Sequence, residues 1–369
     1  MKTLLADLYK VTSGHSSQCR DPIALTSHTG NSRFHLTRSV KLDDFSRSLV
    51  NLFLRFHQIH TGVCPMGAIT ATRTMKTITT TCIILLFACL SGASTVYEKT
   101  KRDEQHFTLE AAKPALMLAY APYCKQSTIQ DWSCYWCSHQ DAPDHFQVTH
   151  FFDGKDKATL FGFAGFTQTQ IVFSFRGTRL GVLKDILADL DIFPATPFRD
   201  AIPGAHVHRG FLDMYMSVRD DVIRSGIELS NKFPNHTLIV TGHSLGGAIS
   251  TLVAADLAIE AQVKNPVQLW TFGSPRVGNE VFARYLDDHY LDKSFRVTHN
   301  RDPVPRLPPR LLGLEHVDTE YWFTNGESWT KCEREDASCS SGNWIVNFFD
   351  HGGYLGYNYF GALAYGCVF

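Results

Sequence analysis

From about residue 104 onward, apolar and polar positions follow two alternating rhythms. Short β-rich runs occur at residues 171–175 (Ile-Val-Phe-Ser-Phe), 238–240, 267–272 and 295–298. Between them lie segments with apolar residues at helical spacing: 107–121, 211–233, 248–263 and 279–288. Strands alternating with helices predict an α/β domain whose central sheet is mostly parallel and covered by helices. Proline and glycine clusters such as 303–309 separate the elements, and no internal repeat or linker interrupts residues 104–369. One domain is the economical reading of 94–369.

The first hundred residues follow a different pattern. Residues 82–90 form a short apolar run after Met75 and Lys76, followed by Ser91-Gly92-Ala93, a small-residue cleavage pattern. Residues 75–93 therefore read as a secretory signal peptide. It is displaced, because residues 1–74 precede it. That leader is rich in Ser, Thr and His and holds nine Lys/Arg against four Asp and no Glu. It reads as a non-native upstream extension or a disordered leader, with translation starting at Met75. The alternatives are a genuine extension, with the apolar run as a short anchor, or an organellar targeting peptide.

Composition narrows the function. A net charge of -1 and the lack of a long basic run exclude a nucleic-acid footprint, and no segment reaches transmembrane length. Six of the ten cysteines lie beyond Ala93: Cys124, Cys134, Cys137, Cys332, Cys339 and Cys367. An even count after a secretory signal suggests three disulfides. Cys134 with Cys137 and Cys332 with Cys339 are close enough to close small loops, which leaves Cys124 and Cys367 to tie the domain's ends together. The alternative for the close pairs is a zinc site, but no second C-x-x-C exists. Asn235-His236-Thr237 is an N-glycosylation acceptor, expected on a surface turn of a secreted chain.

The chemistry concentrates at Gly242-His243-Ser244-Leu245-Gly246, set between an apolar run and a helical segment. A serine hydroxyl becomes a nucleophile when a sharp strand-to-helix turn exposes it and a base takes its proton. Side chains at 242 and 246 would collide in such a turn. The acid should follow another strand end, and Asp302 does so in Asn300-Arg301-Asp302-Pro303. Asp256, the rival, falls in the helix after Ser244, as a surface or packing residue. For the base, the order Ser, Asp, His leaves His316 and His351. His351 lies in a turn near the chain end, whereas His316, in a strand-like run, suits a structural hydrogen bond. The N–H of Leu245 and the N–H and hydroxyl of Thr178, after the strand 171–175, are the expected oxyanion donors. Next, Leu183, Ile186, Leu187 and Leu190 at i, i+3, i+4 and i+7 mark a short amphipathic helix within 179–193. Beside an oxyanion hole it reads as a lid that opens at a lipid surface; the alternative is an ordinary core-facing helix.

These motifs together resemble the secreted class 3 lipases, the family of filamentous-fungal triacylglycerol lipases, across about residues 105–369. The likeness runs through 171–178 ending Phe-Arg-Gly-Thr, Ile186-Leu187-Ala188-Asp189-Leu190, Val207-His208-Arg209-Gly210-Phe211 and 241–248. It continues through Thr271 to Asn279, 301–308, Glu320-Tyr321-Trp322 and Asp350-His351. The resemblance implies an α/β-hydrolase fold, Ser244, Asp302 and His351 as triad, and Thr178 and Leu245 as oxyanion hole. It further implies the helix after Thr178 as lid, the three cysteine pairs above, and no cofactor. Two departures stand out: Gly352-Gly353-Tyr354 follows His351 where many relatives carry a leucine next, and the lid sequence differs.

The expectation is therefore a secreted serine hydrolase acting on acylglycerols at a lipid–water interface. A phospholipase or soluble-ester (feruloyl-type) esterase on the same scaffold is the alternative. A lipid- or carbohydrate-binding pseudoenzyme is the third reading, and the three filled triad positions argue against it.

Overall fold

The computed structural model describes residues 107–154, 160–178, 191–317 and 319–367. The leader and signal segment, residues 1–93, and the lid residues Leu183, Ile186, Leu187 and Leu190 lie outside the described residues.

Eight strands form the central sheet: β1 (Gln147–Asp153), β2 (Phe161–Phe166), β3 (Gln170–Phe175), β4 (Thr237–His243), β5 (Val267–Phe272), β6 (Leu291–His299), β7 (Glu320–Phe323) and β8 (Trp329–Cys332). Their order in the sheet is their order in the chain. Strands β3 to β7 pair in parallel, as the alternating pattern predicts. Antiparallel partners extend both edges, β1 and β2 on one side and β8 on the other.

The helices are α1 (Leu109–Tyr120), α2 (Gln126–Gln130), α3 (Arg209–Met216), α4 (Arg219–Lys232), α5 (Leu245–Ile259) and α6 (Glu280–His289). Parallel strands laid down in one direction with right-handed crossovers must place every connecting helix on the same face. Apolar residues of α3 to α6 accordingly share one core with Ile171, Phe173, Phe175, Leu238, Val240 and Leu269. The intervening strand residues Val172, Ile239, Trp270 and Phe272 point the other way, into an aromatic-rich core under α1. Thr108 caps α1 by accepting a hydrogen bond from the Ala111 N–H (3.2 Å).

The expected single helix over 211–233 is two. Ser217 turns its hydroxyl onto the Met214 carbonyl (2.7 Å), and Val218 leaves helical geometry at φ −126°. The second helix thus starts afresh, and its Arg219 meets Asp256 of α5 with Nε–Oδ2 at 2.6 Å. Helix α5 shows the expected spacing but is buried on nearly every side, because α3 and α4 cover the face turned from the sheet.

All three expected disulfides are present, including Cys124–Cys367 across 243 residues. Replacing both Cys124 and Cys367 by serine should lower stability to denaturant by about 2–5 kcal/mol, because the unfolded chain regains a long loop's freedom. Equilibrium unfolding in urea under oxidising conditions checks it; an unchanged midpoint would show that the tie adds nothing.

Candidate active site

The loops beyond the carboxyl ends of β3, β4, β5 and β6 converge, the place where open α/β sheets build their sites. Ser244 follows β4 directly and has φ 60° and ψ −132°. This positive φ is a strained state for a residue with a Cβ, costing about 1–3 kcal/mol. Surroundings fix it. The Ser244 N–H donates to the Phe272 carbonyl at the end of β5 (2.8 Å), and its own carbonyl accepts from Gly247 (2.9 Å). A Cβ at Gly242 would stand 2.3 Å from the Gly246 carbonyl oxygen, and one at Gly246 would stand 2.1 Å from that of Phe175. Both glycines are therefore required, as the collision argument expects, although Gly246 collides with β3 rather than with Gly242.

The Phe175–Thr178 segment presses on this turn. A Cβ on Gly177 would lie 2.7 Å from the Cβ of Ser244. Thr178 and Leu245 are both buried, Thr178 directly after Gly177 and Leu245 directly after the serine. Leu245 is the first residue of α5, whose opening N–H groups have no partner inside the helix and carry its positive end.

Asp302 and His351 meet across 49 residues. The His351 Nδ1–H donates to Asp302 Oδ2 (2.8 Å), both side chains being buried. Tyr354 donates its hydroxyl to the same oxygen, and the Val304 N–H donates to Oδ1 (2.8 Å). Burial and the Asp302 charge push the Tyr354 hydroxyl's pKa well up, so it stays protonated and donates. Ser244 Oγ and His351 Nε2 are both buried, and neither has a hydrogen-bond partner among the described residues. The two atoms are therefore not hydrogen-bonded to each other.

Sequence reasoning missed what connects these pieces. The Gly177 N–H donates to the Tyr123 hydroxyl (3.1 Å), which bonds His243 Nδ1 (2.9 Å), and His243 Nε2 bonds the His351 carbonyl (2.8 Å). A carbonyl only accepts, so Nε2 carries the proton and Nδ1 accepts from Tyr123. Burial, then the neighbouring His351, holds the His243 pKa well below the usual histidine range, consistent with this neutral tautomer. One chain of hydrogen bonds therefore joins the β3 loop, the serine strand and the His351 loop. The only sequence signal was His243 itself, inside the pentapeptide.

The Asp302 loop has a second anchor. Arg276 donates to the carbonyls of Arg306 and Pro308 and forms a two-pronged, buried ion pair with Glu335 (2.9 and 2.7 Å). Glu335 sits in the loop closed by Cys332–Cys339. The rival residues have structural roles. His316 Nε2 bonds the Pro305 carbonyl (2.7 Å), and Asp256 binds Arg219 and the Tyr215 hydroxyl. At Gly352, directly after His351, a Cβ would enter the Phe360 ring, 2.4 Å from its nearest atom. Asn235 is exposed in the turn before β4.

Comparison with known proteins gives one consistent answer. The family model for class 3 lipases matches residues 172–312. The chain is 32% identical over 250 residues to a lipase of Rhizomucor miehei, covering 64% of this chain and 65% of that protein. It is 31% identical over 255 residues to secreted mono- and diacylglycerol lipase 1 of Fusarium solani, covering 68% and 73%. The lipase structure from Rhizopus microsporus var. chinensis superposes with a TM-score of 0.61 at 29% identity, over 68% of this chain and 89% of that one. The Rhizomucor miehei triacylglyceride lipase structure gives 0.60 at 28%, over 69% and 97%.

The ion pair predicts an acid response. Burial alone would raise the Glu335 pKa, but its hydrogen bonds to Arg276 and the nearby positive charges overcome this and lower it from 4.5 to about 2. A depressed carboxylate pKa contributes stability above its unfolded value that is lost as pH falls through the folded one. Glu335→Gln should therefore be less stable than the native chain above pH 4.5, with the gap narrowing towards pH 2. Urea midpoints across that range check this; a gap independent of pH would contradict it.

Proposed function

The chain belongs to the class 3 lipase family, and from that membership we propose that it is a secreted serine hydrolase cleaving the carboxylic ester bonds of acylglycerols. The single observation that carries this reading is Ser244 on its strained turn, next to a His243 that bonds the backbone of His351, itself engaged by Asp302.

Each residue then has a role. His351 takes the Ser244 proton through Nε2 as Oγ attacks the ester carbonyl. Asp302 holds the imidazole in that tautomer and stabilises the imidazolium. The tetrahedral oxyanion collects the Leu245 N–H together with the N–H and hydroxyl of Thr178, at the positive end of α5. His351 returns the proton to the departing alcohol, and water, activated in the same way, releases the acid from the acyl-enzyme. No step requires a metal or an organic cofactor.

Tyr123 and His243 are positioning residues. They fix the Gly177–Thr178 segment against His351, so the donors stand where charge develops. Hydrolysis at a lipid surface fits the apolar periodicity at 183–190, read as a lid. Three disulfides suit an oxidising compartment, and the exposed Asn235 suits glycosylation on export. Among the described residues no helix is long and apolar enough to cross a membrane.

Two variants test the reading. Ser244→Ala should lower hydrolysis of a triolein emulsion and of a soluble butyrate ester alike by on the order of 10⁶-fold while leaving the fold intact. Activity retained by this variant would reject the mechanism. Native activity confined to the soluble ester would move the assignment to the esterase alternative. Tyr123→Phe strips the Gly177 N–H of its acceptor and His243 of its donor. It should reduce kcat about tenfold, with KM within twofold. Unchanged kcat in folded protein would remove Tyr123 from the catalytic geometry.

A further inference from the structure

Immediately before Asp350 and His351 runs a strap of large apolar side chains facing water. Trp344, Ile345 and Phe349 are 97%, 63% and 78% exposed, and Val346 and Phe348 are about half exposed. Scattered exposed apolar residues are ordinary, but five among six consecutive positions form a contiguous patch that marks an interaction surface.

The backbone is engaged inward at Ile345 and Asn347. The Asn347 N–H donates to the Arg301 carbonyl (2.9 Å), and Arg306 Nη2 donates to the Ile345 carbonyl (3.2 Å). The Asp350 N–H bonds the Asn347 carbonyl (3.1 Å), the Phe349 N–H bonds Asn347 Oδ1 (3.2 Å), and Asn347 Nδ2 bonds Asp350 Oδ1 (2.8 Å). These bonds turn Asn347, the one polar side chain of the strap, inward and leave the apolar side chains facing out. Charge points the same way. Arg301, whose side chain is 42% exposed, and Arg306, whose Nη2 holds the Ile345 carbonyl, add positive charge beside an indole and phenyl rings, a combination suited to a headgroup interface.

We propose that residues 344–349 are a lipid-docking strap, separate from the lid segment, that seats the Ser244 site on the surface of an acylglycerol emulsion. The proposal deepens the ester-hydrolase reading and rests on it for the identity of that surface. The strap shares the chain's path into His351, so docking fixes the base's side of the site at the interface.

The test is flotation of the full chain with phosphatidylcholine-coated triolein droplets, in the Ser244→Ala background so that the lipid is not consumed. Trp344→Ser/Ile345→Ser should partition at least tenfold more weakly than its parent. The control Ile227→Ser/Val281→Ser removes two half-exposed apolar side chains from α4 and α6 and should stay within twofold. With Ser244 restored, the strap variant should hydrolyse a soluble butyrate ester within twofold of the native rate, which verifies its fold. Undiminished flotation, or an equal loss in the control, would overturn the proposal. A native dimer abolished by the strap substitutions would also overturn it, by assigning the strap to a second copy of the chain. Failure of every form to hydrolyse any ester would reject the functional reading while the flotation comparison still stands.

Discussion

The whole site depends on one strained residue. Ser244 leaves β4 at φ 60°, a conformation that a residue with a Cβ holds only where its neighbours leave no alternative. The constraint comes from three strands: β5 through the Phe272 carbonyl, β3 through the Phe175 carbonyl packed on Gly246, and β4 itself. Because those strands lie side by side in chain order, the strain is distributed over the most deeply buried part of the sheet. The same turn points the Ser244 side chain out of the strand and starts α5 directly behind it.

From that point, rigidity passes outward through polar contacts rather than apolar ones. Tyr123 and the neutral His243 link the turn to the β3 loop and to the His351 backbone, while Asp302 takes His351 from the other side. The Asp302 loop is in turn fixed by Arg276, and Arg276 by Glu335. Buried charge pairs are a weak source of stability, but a two-pronged arginine–carboxylate pair adds geometric specificity. On the proposed reading, that definition is what catalysis uses: donors and base already aimed, with little reorganisation left when an ester arrives.

The parallel centre of the sheet was legible because β3, β4 and β5 are continuous apolar runs, the signature of strands buried on both faces. The antiparallel edges were not. Strand β2, Phe-Gly-Phe-Ala-Gly-Phe, lacks an apolar–polar alternation that separates strand from helix, and β8 is three-quarters exposed. The break between α3 and α4 was hidden because Val218 and Val222 carry the apolar period straight through it. At the candidate site, the turn at Ser244 and the pairing of Asp302 with His351 were legible from order and strand-end position. Their supports were not, since Tyr123 reaches His243 across 120 residues and Arg276 reaches Glu335 across 59. A contact over such distances leaves no mark in local periodicity. The three cysteine pairs were legible because two of them close short loops.

The central claim is that Ser244 is the nucleophile of an acyl-transfer site. The most direct measurement is to treat the folded chain with an alkyl p-nitrophenyl phosphonate, which mimics the tetrahedral intermediate, and locate the adduct by intact-mass and peptide mass spectrometry. The account predicts one phosphonyl group per chain, carried by the peptide containing Ser244. A folded chain that takes up no phosphonate, or carries it on another residue, would contradict it.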